Sequence, residues 1–362
     1  MNHTQSQPGP ARESNIELMR IIFTIGVYVL HYNIGTLGGG MDYAQGFNRV
    51  LLYGLEAFFI CAVDLFMLIS GYYMAGRYRV NPWKYVRLLL MVAVFKALTC
   101  VLDQTLGLAQ YSAGSFLKAI VPADVFINLY IATGLLAPFI CYLADRISQR
   151  SFTILLAVCI VLIHVIPTVG HILTDVFQME LPLIYTVTMD GSASGYSLVN
   201  YVLMFVIGLW LRKYGRTYAG GLVLTAWLVN NLLIAWIALA LKPAVGWGLA
   251  LWSYDHVLVV NSAILTFLLF KQYTFYSRVI NRLARSSLVM YLLHKEFFQF
   301  MNVQAYVTGH PVRMLVHIAG WGILIYGVCW IIHLLYQMSI GRMMKRLEER
   351  WPLSLQCEAA EE

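Results

Sequence analysis

The sequence predicts an all-α polytopic membrane protein of about ten transmembrane helices with both termini cytoplasmic. Three observations predict it: a deficit of charge, a series of apolar runs of membrane-crossing length, and the placement of lysine and arginine between those runs. Of the 362 residues, 60% are hydrophobic and 12% charged, with a mean hydropathy of +0.68. A water-exposed domain carries roughly 25% charged residues, so this composition excludes an ordinary soluble fold.

A helix that crosses the hydrocarbon needs about 20 mainly apolar residues. Runs of that kind are 16–34, 50–74, 83–102, 122–143, 152–167, 197–214, 220–241, 249–270, 286–303 and 313–337. The fifth is short and is expected to end at Pro167, since proline interrupts helical bonding. The segment 114–121 reads as a re-entrant or interfacial piece. No small-residue cleavage site follows the first run, which therefore reads as a retained span and not a signal peptide. The chain divides into a cytoplasmic segment 1–15, a membrane domain 16–337 and a basic tail 338–362. In that tail, Gly341–Trp351 is amphipathic, the pattern of a helix lying on anionic lipid. Glycine-rich stretches at 35–49 and 168–195 read as long outer loops.

Lysine and arginine test the span count independently. With the N-terminus inside, the inner side holds Arg12, Arg20, Arg77, Arg79, Lys84, Arg87, Arg146, Arg150, Arg212, Lys213 and Arg216. It also holds Lys271, Arg278, Arg282, Arg285, Arg342, Lys345, Arg346 and Arg350. The outer loops hold only Arg49, Lys118, Lys242 and Arg313. Nineteen against four, alternating at every loop, is the positive-inside pattern. The net charge of +7 is thereby a feature of topology and implies no nucleic-acid partner. The six cysteines are scattered without CxxC or His/Cys clustering, so neither a disulfide framework nor a metal site is expected.

An ionisable side chain within a span costs at least about 2.5–3.5 kcal/mol, so each one is a functional candidate. Span one carries Glu17, Arg20 and His31; span two, Glu56 and Asp64; span three, Lys96. Span eight carries Asp255 and His256, and span nine His294, Lys295 and Glu296. His164 and His333 stand alone in apolar runs and read as core histidines. Arg20 and His31 are eleven residues apart, which places them on nearly one helix face about 16 Å apart. Glu17 joins that face one turn away. By depth, His31, His256 and His294 are expected to surround one cavity near mid-membrane. Imidazole is the side chain best matched to taking a proton from a hydroxyl near neutral pH; a helix–helix hydrogen bond is the alternative role for His31.

Asn15-Ile16-Glu17-Leu18-Met19-Arg20-Ile21-Ile22 followed by His31 resembles the opening of the acyltransferase-3 family of integral-membrane O-acyltransferases, whose hallmark is Arg, ten residues, then His. Asp64-Leu65-Phe66-Met67-Leu68-Ile69-Ser70-Gly71-Tyr72-Tyr73 is similar to the family's second-span signature. Ile127-Asn128-Leu129-Tyr130 with Pro138-Phe139, and Val289-Met290-Tyr291-Leu292-Leu293-His294, resemble its fourth-span and late patterns. Two departures stand out. Lys84-Tyr85-Val86-Arg87 replaces Arg-x-x-Arg, which keeps the charge but loses bidentate phosphate binding at the first member. Val125 occupies the position of a frequent Trp, leaving Phe126 to stack.

The resemblance implies an O-acetyltransferase of the bacterial cytoplasmic membrane. It would take an acyl group, usually acetyl, from cytoplasmic acetyl-CoA to a hydroxyl of an envelope sugar or glycan, free or lipid-linked. It implies His31 as general base or relay, with Arg20, His294 and Tyr291 in the catalytic set, and Arg20, Lys84, Arg87 and Ser70 toward the donor. Arg278, Arg282 and Arg285 are further inner-loop cations suited to a polyanionic donor. The competing class is a proton-coupled transporter or exporter, which would also bury Asp, Glu, His and Lys. No matched halves or paired broken helices favour it, and it gives no reason for Arg20 and His31 to share a face.

Overall fold

A computed structural model describes residues 13–175, 179, 195–240 and 250–357. Among the described residues the protein is all-α apart from one two-stranded ribbon. Its principal helices are α1 (Ser14–Asn33), α2 (Gly46–Met74), α3 (Trp83–Thr105), α4 (Val125–Arg146), α5 (Gln149–Gly170) and α6 (Leu198–Tyr214). They are followed by α7 (Gly220–Ala240), α8 (Val257–Lys271), α9 (Ser287–Leu293), α10 (Pro311–Tyr336) and α11 (Arg342–Arg350). Among the described residues, six helical runs are long and apolar enough to cross a membrane: α2, α3, α4, α5, α7 and the run Pro311–Arg350.

The first helix is the axis of the bundle. It packs against α2, α8, α9 and α10, and Met19, Phe23, Tyr28 and Tyr32 are fully buried along it. A helix enclosed by other helices can carry polar groups that a lipid-facing one cannot, which is why the half-buried His31 is tolerated here. Its start is tied down: the Ser277 amide donates to Ser14 Oγ at 2.7 Å, and that hydroxyl donates to Asn281 Oδ1 at 2.9 Å. The closest backbone approach joins α2 to α6. A Cβ on Gly71 would lie 1.9 Å from the Phe205 carbonyl oxygen, and one on Gly208 would lie 2.1 Å from that of Leu68. Small residues let membrane helices approach this closely without a hydrophobic drive between them.

Several boundaries differ from the sequence reading. The fifth helix does not stop at Pro167. A π turn at Val161–Val165, in which the Ile166 amide reaches the Val161 carbonyl, absorbs the interruption and the helix continues to Asp175. Span two begins at Gly46 and is broken at Ile60–Cys61. The eighth helix starts at Val257, later than residue 249. Span nine is α-helical only over Ser287–Leu293 and tightens to a 3₁₀ helix over His294–Phe300. The piece expected near 114–121 is a short helix, Ala113–Ile120, capped by Ser112. Most of the 168–195 loop, including Asp190 through Ser194, lies outside the described residues, as do Arg12 and Lys242.

The tail folds back on the loop between α2 and α3. Leu355–Gln356 (β2) pairs antiparallel with Arg79–Val80 (β1), and the Cys357 amide donates to the Tyr78 carbonyl at 3.0 Å. Trp83 Nε1 donates to the Trp351 carbonyl at 2.5 Å. Sequence pattern pointed to a helix at Gly341–Trp351; its docking depends on contacts between segments some 270 residues apart.

Candidate functional site

Two rings meet where α1 passes the α9 end. His294 Nε2 and His31 Nδ1 are 3.0 Å apart, with ring centroids separated by 4.8 Å and planes inclined at 57°. The change from α to 3₁₀ winding at Leu293 leaves His294 folded back on its own helix. There its Nδ1 lies 3.1 Å from the Met290 carbonyl and 2.8 Å from that of Tyr291. Both neighbours can only accept, so Nδ1 carries the proton and Nε2 is a bare acceptor. His31 Nδ1 in turn faces two acceptors, His294 Nε2 and the Val27 carbonyl at 2.8 Å. It too must carry its proton, and the tautomers follow from the network. The lone pair of neutral His31 is then on Nε2. His294 is buried at 1% exposure while His31 is half-buried, so the ring with the free lone pair is the accessible one.

The Tyr291 ring lies 6.1 Å from that of His294. Tyr291 Oη donates to Asp124 Oδ1 at 3.1 Å, and the same carboxylate oxygen caps α4 by accepting from the Ile127 amide at 3.0 Å. Phe126 lies 4.9 Å from the Tyr291 ring and contacts Phe66, Tyr130 and Tyr201. Val125 faces outward at 55% exposure, so Phe126 alone carries the aromatic packing at that helix start. Asp124 is a residue that sequence reasoning missed. An Asp immediately before an apolar run is a capping signal, but nothing local announces Tyr291 as its partner, 167 residues away.

The basic candidates lie elsewhere, Arg20 on α1 and Lys84 and Arg87 on α3. Lys84 Nζ donates to Tyr130 Oη at 2.8 Å and sits 5.1 Å above that ring. Ser70 Oγ donates to the Phe66 carbonyl at 2.9 Å and adjoins the same hydroxyl, with Arg20 farther from it. Arg20 also pairs with Glu17 at 3.5 Å and remains largely exposed. Arg20, Lys84 and Ser70 therefore gather around Tyr130. Arg87 is not with them: it is bound to Glu348 of α11 at 3.0 Å, and Asn81 Nδ2 donates to the other oxygen of that carboxylate at 2.5 Å.

The other span-borne charges mostly have partners of their own. Glu56 accepts from Asn33 at 2.7 Å, and Asp64 accepts from Asn200 at 3.1 Å. Lys96 donates to the Val121 carbonyl at 3.2 Å, and Lys295 is exposed. His256 is buried and caps α8 by accepting from the Leu258 amide at 3.2 Å. The helix begins one residue after it, so it lies at a helix end. His164 is fully buried with Nδ1 3.0 Å from the Asp255 carbonyl, and His333 is buried on α10.

Outside the spans, Glu13 anchors the entrance to α1, contacting Lys271 and accepting from Tyr73 Oη at 3.0 Å. Burial alone would raise its pKa, but the hydrogen bonds from Lys271 and Tyr73 hold the carboxyl below its usual range.

The chain matches a family model described as an acyltransferase domain, acyltransferase-3, over residues 13–334. No curated protein and no solved structure matches it.

Proposed function

The chain belongs to the acyltransferase-3 family and is a multi-pass membrane acyltransferase, and we propose that it carries acetyl from cytoplasmic acetyl-CoA to a hydroxyl of an envelope glycan. In this reading the chain crosses a bacterial cytoplasmic membrane ten times with both ends inside. Residues 16–337 form the catalytic domain, flanked by segment 1–15 and tail 338–362.

The observation that carries the chemistry is the directed histidine pair. His31 Nε2 takes the proton of the acceptor hydroxyl as its oxygen attacks the thioester carbonyl. The new C–O bond forms, the C–S bond breaks, and the proton passes from His31 to the departing thiolate. His294 does not touch the acceptor. Its Nε2 receives the His31 Nδ1 proton in a hydrogen bond that holds the tautomer and stabilises the imidazolium formed midway. Tyr291 and Asp124 fix the strand of contacts behind it. Arg20, Lys84 and Ser70, around Tyr130, take the donor, with cations suited to its phosphates. Arg87 joins them when Glu348 releases it.

The test is label transfer from radiolabelled acetyl-CoA to native envelope extract, using purified protein in nanodiscs. Wild type is expected to transfer; His31→Ala is expected to bind the donor and transfer nothing. Full activity in that variant overturns the base assignment. Absence of donor binding in wild type overturns the donor assignment.

A further inference from the structure

The charge on the tail helix is unevenly distributed. Arg342, Arg346 and Arg350 recur every four residues, forming one stripe along α11. Met344 is buried on the opposite side, and Glu348 one turn later is turned inward to Arg87 and Asn81. The other acid, Glu349, pairs with Lys345. The helix has thus committed both carboxylates elsewhere, and among the described residues none of the three stripe arginines pairs with an acid. Three like charges along one edge repel, and a structure keeps them there only at a cost unless an anion joins them.

The stripe also borders a shallow, open cleft formed between side chains on one face of this single helical run. Arg342, Arg346 and Arg350 supply its polar wall, and Met338, Met343 and Leu347 its apolar one. All three apolar residues are exposed, which is costly in water but not against acyl chains. The site lies at the end of a helical run of 40 residues, Pro311–Arg350. About 20 residues suffice to cross the hydrocarbon, so the run emerges with this cleft at headgroup level. It is remote from the His31–His294 pair, with none of whose residues it shares a wall.

We propose that this cleft is a binding site for the headgroup of an anionic phospholipid, its phosphate held by Arg342, Arg346 and Arg350 and its upper acyl segment by Met338, Met343 and Leu347. The same helix clamps the Arg79–Arg87 loop on its other side, so lipid binding stabilises the docked tail. The inference rests on the membrane-spanning fold and not on the acyl-transfer chemistry.

The test is native mass spectrometry of the full chain in detergent, titrated with phosphatidylglycerol or phosphatidylcholine. Wild type is expected to retain one phosphatidylglycerol in preference to phosphatidylcholine. Each arginine removed should weaken retention roughly fivefold: a single step in Arg346→Gln, and near-complete loss in the triple Arg342→Gln, Arg346→Gln, Arg350→Gln variant. Lys345→Gln, whose partner is Glu349, should retain the lipid. Equal retention of both lipids by wild type, or unchanged retention by the triple variant, overturns the proposal. Displacement of the lipid by inorganic phosphate or acetyl-CoA also overturns it, because the cleft would then serve a soluble phosphate.

Discussion

The histidine pair and the basic rim around Tyr130 share α1, are otherwise carried by different helices, and are built on opposite principles. At the pair, each ring proton is directed by carbonyls and by the neighbouring ring, and His294 is sealed from solvent. At the rim, Arg20 is largely exposed and paired loosely with Glu17 and Lys84 rests on a tyrosine, while Arg87, apart from them, is engaged by the tail. Buried groups gain from fixed geometry because each unsatisfied atom is expensive there. Exposed cations gain little from their partners and can exchange them for a ligand. The pair is suited to a chemical step and the rim to a reversible binding step.

If that division holds, variants at the pair should act on kcat and variants at the rim on KM for the donor. His31→Ala should show the largest effect, a loss of roughly 10²–10⁴-fold in kcat with donor KM little changed; a pure KM effect would erase the contrast. His294→Ala should come next, with a loss of roughly 10²-fold and an altered pH profile of kcat. His294→Gln, whose amide oxygen can still accept from His31 Nδ1, should recover part of the rate. Equal kinetics in the two variants would leave His294 as packing only.

At the rim, Lys84→Ala should raise donor KM roughly tenfold without changing kcat. Glu348→Ala should move in the opposite direction, lowering donor KM by a factor of about two to five, since it frees Arg87 from a carboxylate that competes with donor phosphate. Steady-state kinetics with varied acetyl-CoA measure both, and a rise in KM on removing Glu348 would show that the tail supports the donor site. The smallest effect concerns Glu13. Its folded-state pKa is held below the usual 4.5, so its contribution to stability is complete above that pH and is lost as pH falls through the lower folded-state value. Thermal unfolding of Glu13→Gln should therefore lose part of the wild-type slope below pH 4.5 and differ little in shape above it.

How much of the site was legible varies by residue. Arg20 and His31 could be placed on one face because they share a helix whose period is fixed. Tyr291 and His294 could be named through resemblance, but their separation from His31 could not be measured along the chain. Asp124 was visible as a cap and invisible as the partner of Tyr291. The start of the eighth helix was placed too early because hydropathy averages over a window, and it assigned 249–256 to a helix that begins at Val257. The missing amide donor of proline ended the expected fifth helix at Pro167, where a π turn lets it continue.

Composition, apolar run length and the alternation of cations determined by themselves that this is a helical membrane protein, because burying backbone in lipid leaves few alternatives to a helix. Helical period likewise determined the stripe of Arg20 and His31. Only the tertiary structure decided that His294 meets His31 at 3.0 Å, which ring nitrogens carry protons, and that Glu348 holds Arg87. Those facts depend on contacts between residues some 260 positions apart, and no local pattern encodes a distance across a packed bundle.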